Sequence, residues 1–228
     1  MRELKDRLYT VSTLVPKGAR VADIGTDHGH LPIYLINKEI SPFCIACDIR
    51  EKPLLSAKSN IEKTGTEKIE LRLGDGLNPV SPDEVDCIVI AGMGGEVISS
   101  IIEKADWLKD EKYTLVLQPM TSADALRRYL YENGFEIERE IAVRDAGRIY
   151  AVLKVVFSGN ALSPDDAFCR IGRLDITEAN ARLYAEKQLG IVEKCINDLK
   201  NADKTENLDT LADTYNKIKA SLGGENGT

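Results

Sequence analysis

The chain is short of the residue types that mark several common functions. It has 228 residues, with two histidines, one tryptophan, three methionines and only 6% aromatic residues. Two histidines, His28 and His30, are too few for most metal centres, which draw three or four ligands from several elements. The cysteines (Cys44, Cys47, Cys87, Cys169, Cys195) are odd in number and lack a framework spacing, which excludes a disulfide-stapled scaffold and points to reduced thiols in a cytoplasmic protein. No run approaches the ~18 apolar residues of a membrane span, and the opening Met1-Arg-Glu-Leu-Lys-Asp-Arg has no apolar core of an export signal. Positive charge is not in excess either. With 30 basic and 37 acidic residues the net charge is −7, which excludes coating of nucleic acid by bulk charge. What remains is an ordinary globular composition, 43% hydrophobic and 29% charged, long enough for one large domain and a small unit.

The first two thirds alternate strand-like and helix-like segments. Leu4, Leu8, Val11 and Leu14 place a helix over residues 2–15. Apolar runs place strands at Arg20–Ile24, Phe43–Asp48, Ile69–Leu73, Asp86–Ala91 and Tyr113–Gln118, with helical segments between most of them. This alternation predicts βαβ units and a parallel sheet covered on both faces. The rhythm then changes. Phe135, Ile137, Ile141 and Val143 share one face of a period-two run, and Ile149, Ala151, Leu153, Val155 and Phe157 do the same after a turn at Asp145–Gly147. So short a link requires an antiparallel pair. A mostly parallel α/β sheet ending in an antiparallel hairpin is the plan of the class I, Rossmann-like methyltransferases.

Beyond residue 158 the strand signal stops. Ser163-Pro-Asp-Asp reads as a helix start, with Ser163 as cap and proline in the first turn. Leu189, Val192, Ile196 and Leu199, then Leu208, Leu211, Tyr215, Ile218 and Leu222, form two narrow seams around a polar link at Asn201–Asn207. They predict an antiparallel coiled coil. The expected organisation is a methyltransferase domain over 1–158, a C-terminal α-helical coiled-coil domain over 159–222 and a disordered tail over 223–228.

The loop Asp23-Ile-Gly25-Thr26-Asp27-His28-Gly29 carries the most chemical information. An acid and two glycines after a first strand form a nucleotide-binding turn of the S-adenosylmethionine type, in which the backbone comes close to the ligand and the carboxylate takes a cationic ammonium. The Gly-x-x-x-Gly spacing departs from the dinucleotide fingerprint. Asp48 closes the second strand, where a carboxylate accepts ribose hydroxyls, and Gly74-Asp75-Gly76 closes the third, beside an adenine amino group. The fourth strand ends Ala91-Gly92-Met93-Gly94-Gly95 and has no following Lys-Ser/Thr, which argues against a phosphate loop. Cys44-x-x-Cys47 lies on a strand, where positions three apart face opposite ways, so it reads as two core thiols.

Taken together, Asp23-Ile-Gly-Thr-Asp-His-Gly, Gly74-Asp-Gly-Leu, Ile90-Ala-Gly-Met-Gly-Gly and Leu117-Gln-Pro resemble the bacterial tRNA (adenine(22)-N1)-methyltransferase family over nearly the whole chain. The chain departs from the family pattern at His30, at Met120 and at Cys47-Asp48-Ile49, where the acid is kept. The resemblance implies S-adenosyl-L-methionine as cofactor and tRNA as partner, without membrane or metal, and with a monomer favoured. On that footing cofactor contacts are expected from Asp23, Gly25, Thr26 and His28, from Asp48 and Ile49, from Gly74, Asp75 and Gly76, and from Ala91 and Gly92. Substrate RNA contacts are expected from Arg2, Lys5 and Arg7 on the first helix and from Gly94 and Pro119. Further basic pairs, Arg127–Arg128 and Arg144 with Arg148, are candidates for a local basic rim.

Adenine N1 carries a free lone pair at neutral pH, so methylation there needs alignment and charge stabilisation rather than a general base. Asp27 is the candidate carboxylate facing the developing cation, with a loop-capping turn as its alternative role. Met93 is a soft apolar contact for a flat ring, and the Gln118 amide is placed to read an adenine edge or to close a strand-end turn. A methyltransferase for a small molecule or a protein, and a non-catalytic RNA-binding scaffold, remain the alternative readings of the residues.

Overall fold

The computed structural model describes residues 4–202 and 204–223; Arg2 and residues 224–228 of the expected tail lie outside them, and Gly223 closes the last helix. Seven strands form one sheet: β1 (Val21–Ile24), β2 (Cys44–Asp48), β3 (Ile69–Leu73), β4 (Cys87–Gly94), β5 (Thr114–Thr121), β6 (Phe135–Asp145) and β7 (Arg148–Phe157). Their order is β3-β2-β1-β4-β5-β7-β6, with β3 to β5 parallel and β7 antiparallel to both of its neighbours. The inner parallel strands β1 and β2, the first half of β4 and most of β5 are buried because both faces are covered, whereas the edge strand β3 is only partly so.

One face packs under α4 (Gly95–Glu103) and α5 (Ala123–Glu132), through Ile98, Ile101, Ile102, Leu126 and Leu130. The other packs under α1 (Asp6–Leu14) and α2 (His30–Asn37), through Val11, Leu14, Leu31 and Leu35. Cys47 belongs to the first core and Cys44 to the second, as the strand alternation requires. Burial pushes both thiols up to about 12. The helix α3 (Glu51–Thr64) lies against β2, β3 and α2.

The hairpin departs from simple alternation. Ile137 pairs with Val155, but Arg139 pairs with Lys154, so two residues of β6 oppose one of β7. This β-bulge reverses the facing of the rest of the strand. Phe135 and Ile137 sit in the first core with Ala142, whereas Ile141 and Val143 turn to the second. The four residues expected on one face are thus split between two.

The bulge also turns Glu140 inward, where its carboxylate meets Arg127 with no exposed side-chain surface on either. Arg127 Nε and Nη2 lie 2.9 and 2.5 Å from Glu140 Oε1, and Nη1 donates to the carbonyls of Cys169 and Arg170. The Arg173 amide takes the other carboxylate oxygen at 2.9 Å. Arg127 therefore does not belong to a basic rim. Its neighbour Arg128 is bound to Asp166.

The C-terminal part comprises α6 (Asp166–Ile171), α7 (Ala179–Asn201) and α8 (Leu208–Gly223). The cap of α6 is Asp165 rather than Ser163, because its carboxylate accepts from the Phe168 amide three residues on. The α7–α8 seam closes over Val192, Ile218 and Leu222, with Leu189, Ile196, Leu211 and Tyr215 packed around them. The first turns of α7 do something else: Ala181 and Tyr184 enter the sheet's own core, and the Tyr184 hydroxyl reaches Arg127.

Arg127→Met leaves Glu140 charged and buried, and should cost about 3–5 kcal/mol of unfolding free energy in urea titration. The double change Arg127→Met with Glu140→Leu should recover most of that loss.

Candidate active site

The carboxyl ends of β1, β2, β3 and β4 open onto one cleft of about 810 Å³. It lies where the strand order reverses, with β2 and β4 on opposite sides of β1, the place where open α/β sheets bind ligands. Asp23, Gly25 and Asp27 line it from the first loop, Asp48 and Ile49 from the second, Gly74, Asp75 and Gly76 from the third, and Ala91, Gly92 and Met93 from the fourth. Thus most of the residues expected to serve the cofactor do meet in one space.

Gly25 shows why the first loop needs glycine. Its φ is +77°, and a Cβ there would collide with the Met93 methyl, so the two loops touch through a residue without a side chain. The amides of Gly25 and Thr26 both donate to the Cys47 carbonyl at 2.8 Å, which ties the loop to β2.

The three acids differ in environment. Asp23 is buried, and desolvation raises its carboxyl from 3.8 to about 6, with Thr26 opposing the rise and the charge of Asp48 adding a smaller push upward. The Thr26 hydroxyl is itself buried and makes no hydrogen bond of ordinary geometry among the described residues. Asp48 is buried too and lines the cleft; its Oδ1 accepts from the Arg50 amide at 2.8 Å, and among the described residues Oδ2 has no hydrogen bond. Asp75 is exposed and lies 3.7 Å from Lys104 of the α4 C-terminus. Asp27 stands at the mouth, its side chain 82% exposed and 3.3 Å from His28 Nε2. Ile49 and Val97 line the same cleft with 63% and 52% of their surface open to solvent. Two exposed apolar side chains flanking a polar cleft suit a flat aromatic ligand.

Not every expected residue lies there. Gln118 is fully buried, because β5 continues to Thr121 and carries Gln118 and Pro119 inside the sheet, where Pro119 pairs with Met93. Its Oε1 accepts from Arg7 and, at 3.1 Å, from the Gly92 amide, while Nε2 donates to the Pro119 carbonyl at 2.8 Å. An amide so committed does not reach a base edge; it fixes the Gly92 turn. Arg7, expected as a phosphate contact, is set in the cleft wall between Gln118 and Asp145, whose carboxylate is 3.5 Å away. Gly94, Pro119 and Thr26 are not lining residues, and Lys5 and His28 line a neighbouring groove. Val97, Glu96 and Ser100 of α4 were not foreseen from sequence. The available signal was the glycine turn leading straight into α4, which brings the first turn of that helix to the cleft.

The matching family model is described as a methyltransferase domain and covers residues 4–153. A Bacillus subtilis protein named tRNA (adenine(22)-N(1))-methyltransferase is 40% identical over 156 residues, 67% of this chain and 66% of that one. The chain belongs to this class I methyltransferase family. Among solved structures, the B. subtilis m1A22 tRNA methyltransferase TrmK covers 96% of this chain and 99% of its own, at 32% identity and a TM-score of 0.85. A putative tRNA (m1A22) methyltransferase of Streptococcus pneumoniae, solved with S-adenosyl-L-methionine, aligns over 95% and 98% at 34% identity and a TM-score of 0.79. The likeness to these methyltransferases therefore includes the C-terminal helices. Among the described residues no group of three or more His, Cys, Asp or Glu side chains is placed to hold a metal, and no helix is long and apolar enough to cross a membrane.

Between pH 4 and 6 folded Asp23 keeps its proton while the unfolded chain has lost it, so this residue lowers stability as pH rises through that window. Asp23→Asn should therefore be more stable than the wild type at pH 7, by up to about 3 kcal/mol, and equal to it at pH 4. Urea titrations at the two pH values measure the difference.

Proposed function

We infer that the protein uses S-adenosyl-L-methionine to methylate N1 of an adenine in tRNA, at position 22, acting as a cytoplasmic monomer. The observation that carries this reading is the convergence of Asp23, Asp48 and Asp75, from the ends of three parallel strands, on one cleft in a chain 40% identical to a tRNA (adenine(22)-N(1))-methyltransferase. Five free cysteines, four of them buried, suit a reducing compartment.

The residues present fit the cofactor. Asp23, buried and with its carboxyl raised to about 6, is ready to ionise against a cationic ammonium. The open oxygen of Asp48 suits a pair of ribose hydroxyls, and Ile49 with Val97 suits the faces of an adenine ring. When bound, S-adenosylmethionine supplies a methyl group on a sulfonium.

The work left to the chain is positioning and charge. Target N1 attacks with its own lone pair, so no residue has to remove a proton first. Gln118 and Arg7 hold the Gly92 turn from beneath, and Met93 packs that turn onto Gly25. Asp27 faces the target base and balances the positive charge that methylation places on it. In the free protein this carboxylate is largely hydrated; RNA covering the mouth strips that water and strengthens the interaction.

Unmodified tRNA incubated with the protein and labelled S-adenosylmethionine should yield 1-methyladenosine at position 22 on nucleoside analysis. Label in another nucleoside, or none in tRNA, would overturn the reading. Asp27→Asn should lower kcat at least about tenfold with cofactor affinity unchanged in calorimetry. Asp48→Ala should weaken cofactor binding by about 1.5–3 kcal/mol, the worth of hydrogen bonds to a charged group.

A further inference from the structure

A second groove, of about 650 Å³, opens beside the cofactor cleft between α1, α2 and α3. The two spaces share Arg7, Leu8, Asp27 and His30 as a common wall. The geometry points to this groove as the seat of the single-stranded RNA segment adjoining the target nucleotide, with Lys5 and Lys63 as its phosphate contacts and Tyr34 as a stacking surface. This rests on the tRNA reading above and goes beyond it by assigning the groove to RNA.

Three observations favour RNA as the occupant. The first is charge. Among the described residues Asp27 is the sole carboxylate lining the groove, against Lys5, Arg7 and Lys63. Many cations of this acidic chain are held in ion pairs, Arg7 with Asp145 among them. The side chains of Lys5 and Lys63 have no hydrogen-bond or ion-pair partner among the described residues. Unpaired cations at the cap of α1 and on α3, lining one groove, are available to replace the counterions of a phosphodiester.

The second observation is the aromatic lining. Tyr34 lines the groove, partly exposed, in a T-shaped pair with Tyr9 (ring centroids 6.4 Å apart) and with Lys38 Nζ 5.9 Å from its ring, and Tyr9 is itself half open to solvent. Cations alternating with partly exposed rings is the chemistry that binds single strands without reading their sequence.

The third is the junction. His28 has a φ of +62°, a backbone conformation a non-glycine residue adopts only when its surroundings hold it there. Asn60 of α3 holds it, donating to the His28 carbonyl at 2.9 Å. α3 thus fixes the loop that presents Asp27 to both spaces and, one turn later, presents Lys63 to the groove. A base drawn out of its stack into the first space leaves its own backbone at this junction and its neighbour in the groove.

The test is steady-state methylation of tRNA by the double variant Lys5→Glu with Lys63→Glu. Its KM for tRNA should rise at least about tenfold, with kcat at saturation within twofold and cofactor affinity in calorimetry unchanged. The slope of log(kcat/KM) against log salt should become shallower by about 1.4, some 0.7 for each phosphate contact to a single strand. A paired variant on the exposed face of α7, Lys194→Glu with Lys200→Glu, serves as the comparison and should leave all three unchanged. Wild-type KM and salt slope in the groove variant would overturn the proposal, as would a KM effect confined to the α7 variant. A wild-type protein that methylates no tRNA would instead remove the functional reading on which the proposal stands.

Discussion

The site depends on one constraint, the central position of β1. From it the chain builds outward through β2 and β3 on one side, then returns to build β4 and β5 on the other. The connections that leave β1 and β4 therefore run to opposite faces of the sheet, α2 on one and α4 on the other. A crevice remains between them because no crossover passes over that point. The loops that line it hold little secondary structure of their own, yet for three of them the buried stretches of β1, β2 and β4 hold the loop's start in place.

Placing charge at the end of a buried strand has an energetic consequence. Asp23 is desolvated by the same packing that fixes it, so the free protein carries a strained carboxyl where a ligand's positive charge would relieve it. The Arg127–Glu140 pair solves the opposite problem. There the charges are matched inside the protein, with two main-chain carbonyls and an amide completing the shell. This pair joins α5 to β6 and, through Cys169, Arg170 and Tyr184, to the C-terminal helices. Those helices consequently share a core with the sheet at their root and have a separate seam only further out.

The fold was legible in sequence where one physical signal dominates. Apolar runs bounded by turn residues marked all seven strands to within a few residues, and the short Asp145–Gly147 link required an antiparallel hairpin. The three acids at strand ends were visible because their positions follow from the strands. Features that depend on tertiary partners were not visible. Nothing local to residues 137–139 marks a bulge, so Ile141 and Val143 were assigned to the wrong face. Arg127 looks like any helix arginine until Glu140 is turned toward it. Gln118 stands at the end of an apolar run, and only the extension of β5 to Thr121 shows that it is enclosed. Asp165 and Ser163 are both acceptable caps, and the geometry of the first turn of α6 decides between them.

The bulge in β6 has a consequence for how the chain tolerates change. Odd-numbered side chains before it and even-numbered ones after it face the same core, so the strand carries two registers joined by one surplus residue. A substitution at Glu138 removes a surface ion pair with Lys154, and one at Arg139 alters an exposed side chain. Loss of either residue would remove the surplus and restore plain alternation, with Ile137 and Glu140 still opposite Val155 and Leu153. The carboxylate would stay against Arg127, and Val143 among its apolar neighbours. At this place the fold accepts a change of residue number as well as of residue type, and related chains should vary here by deletion as well as by replacement.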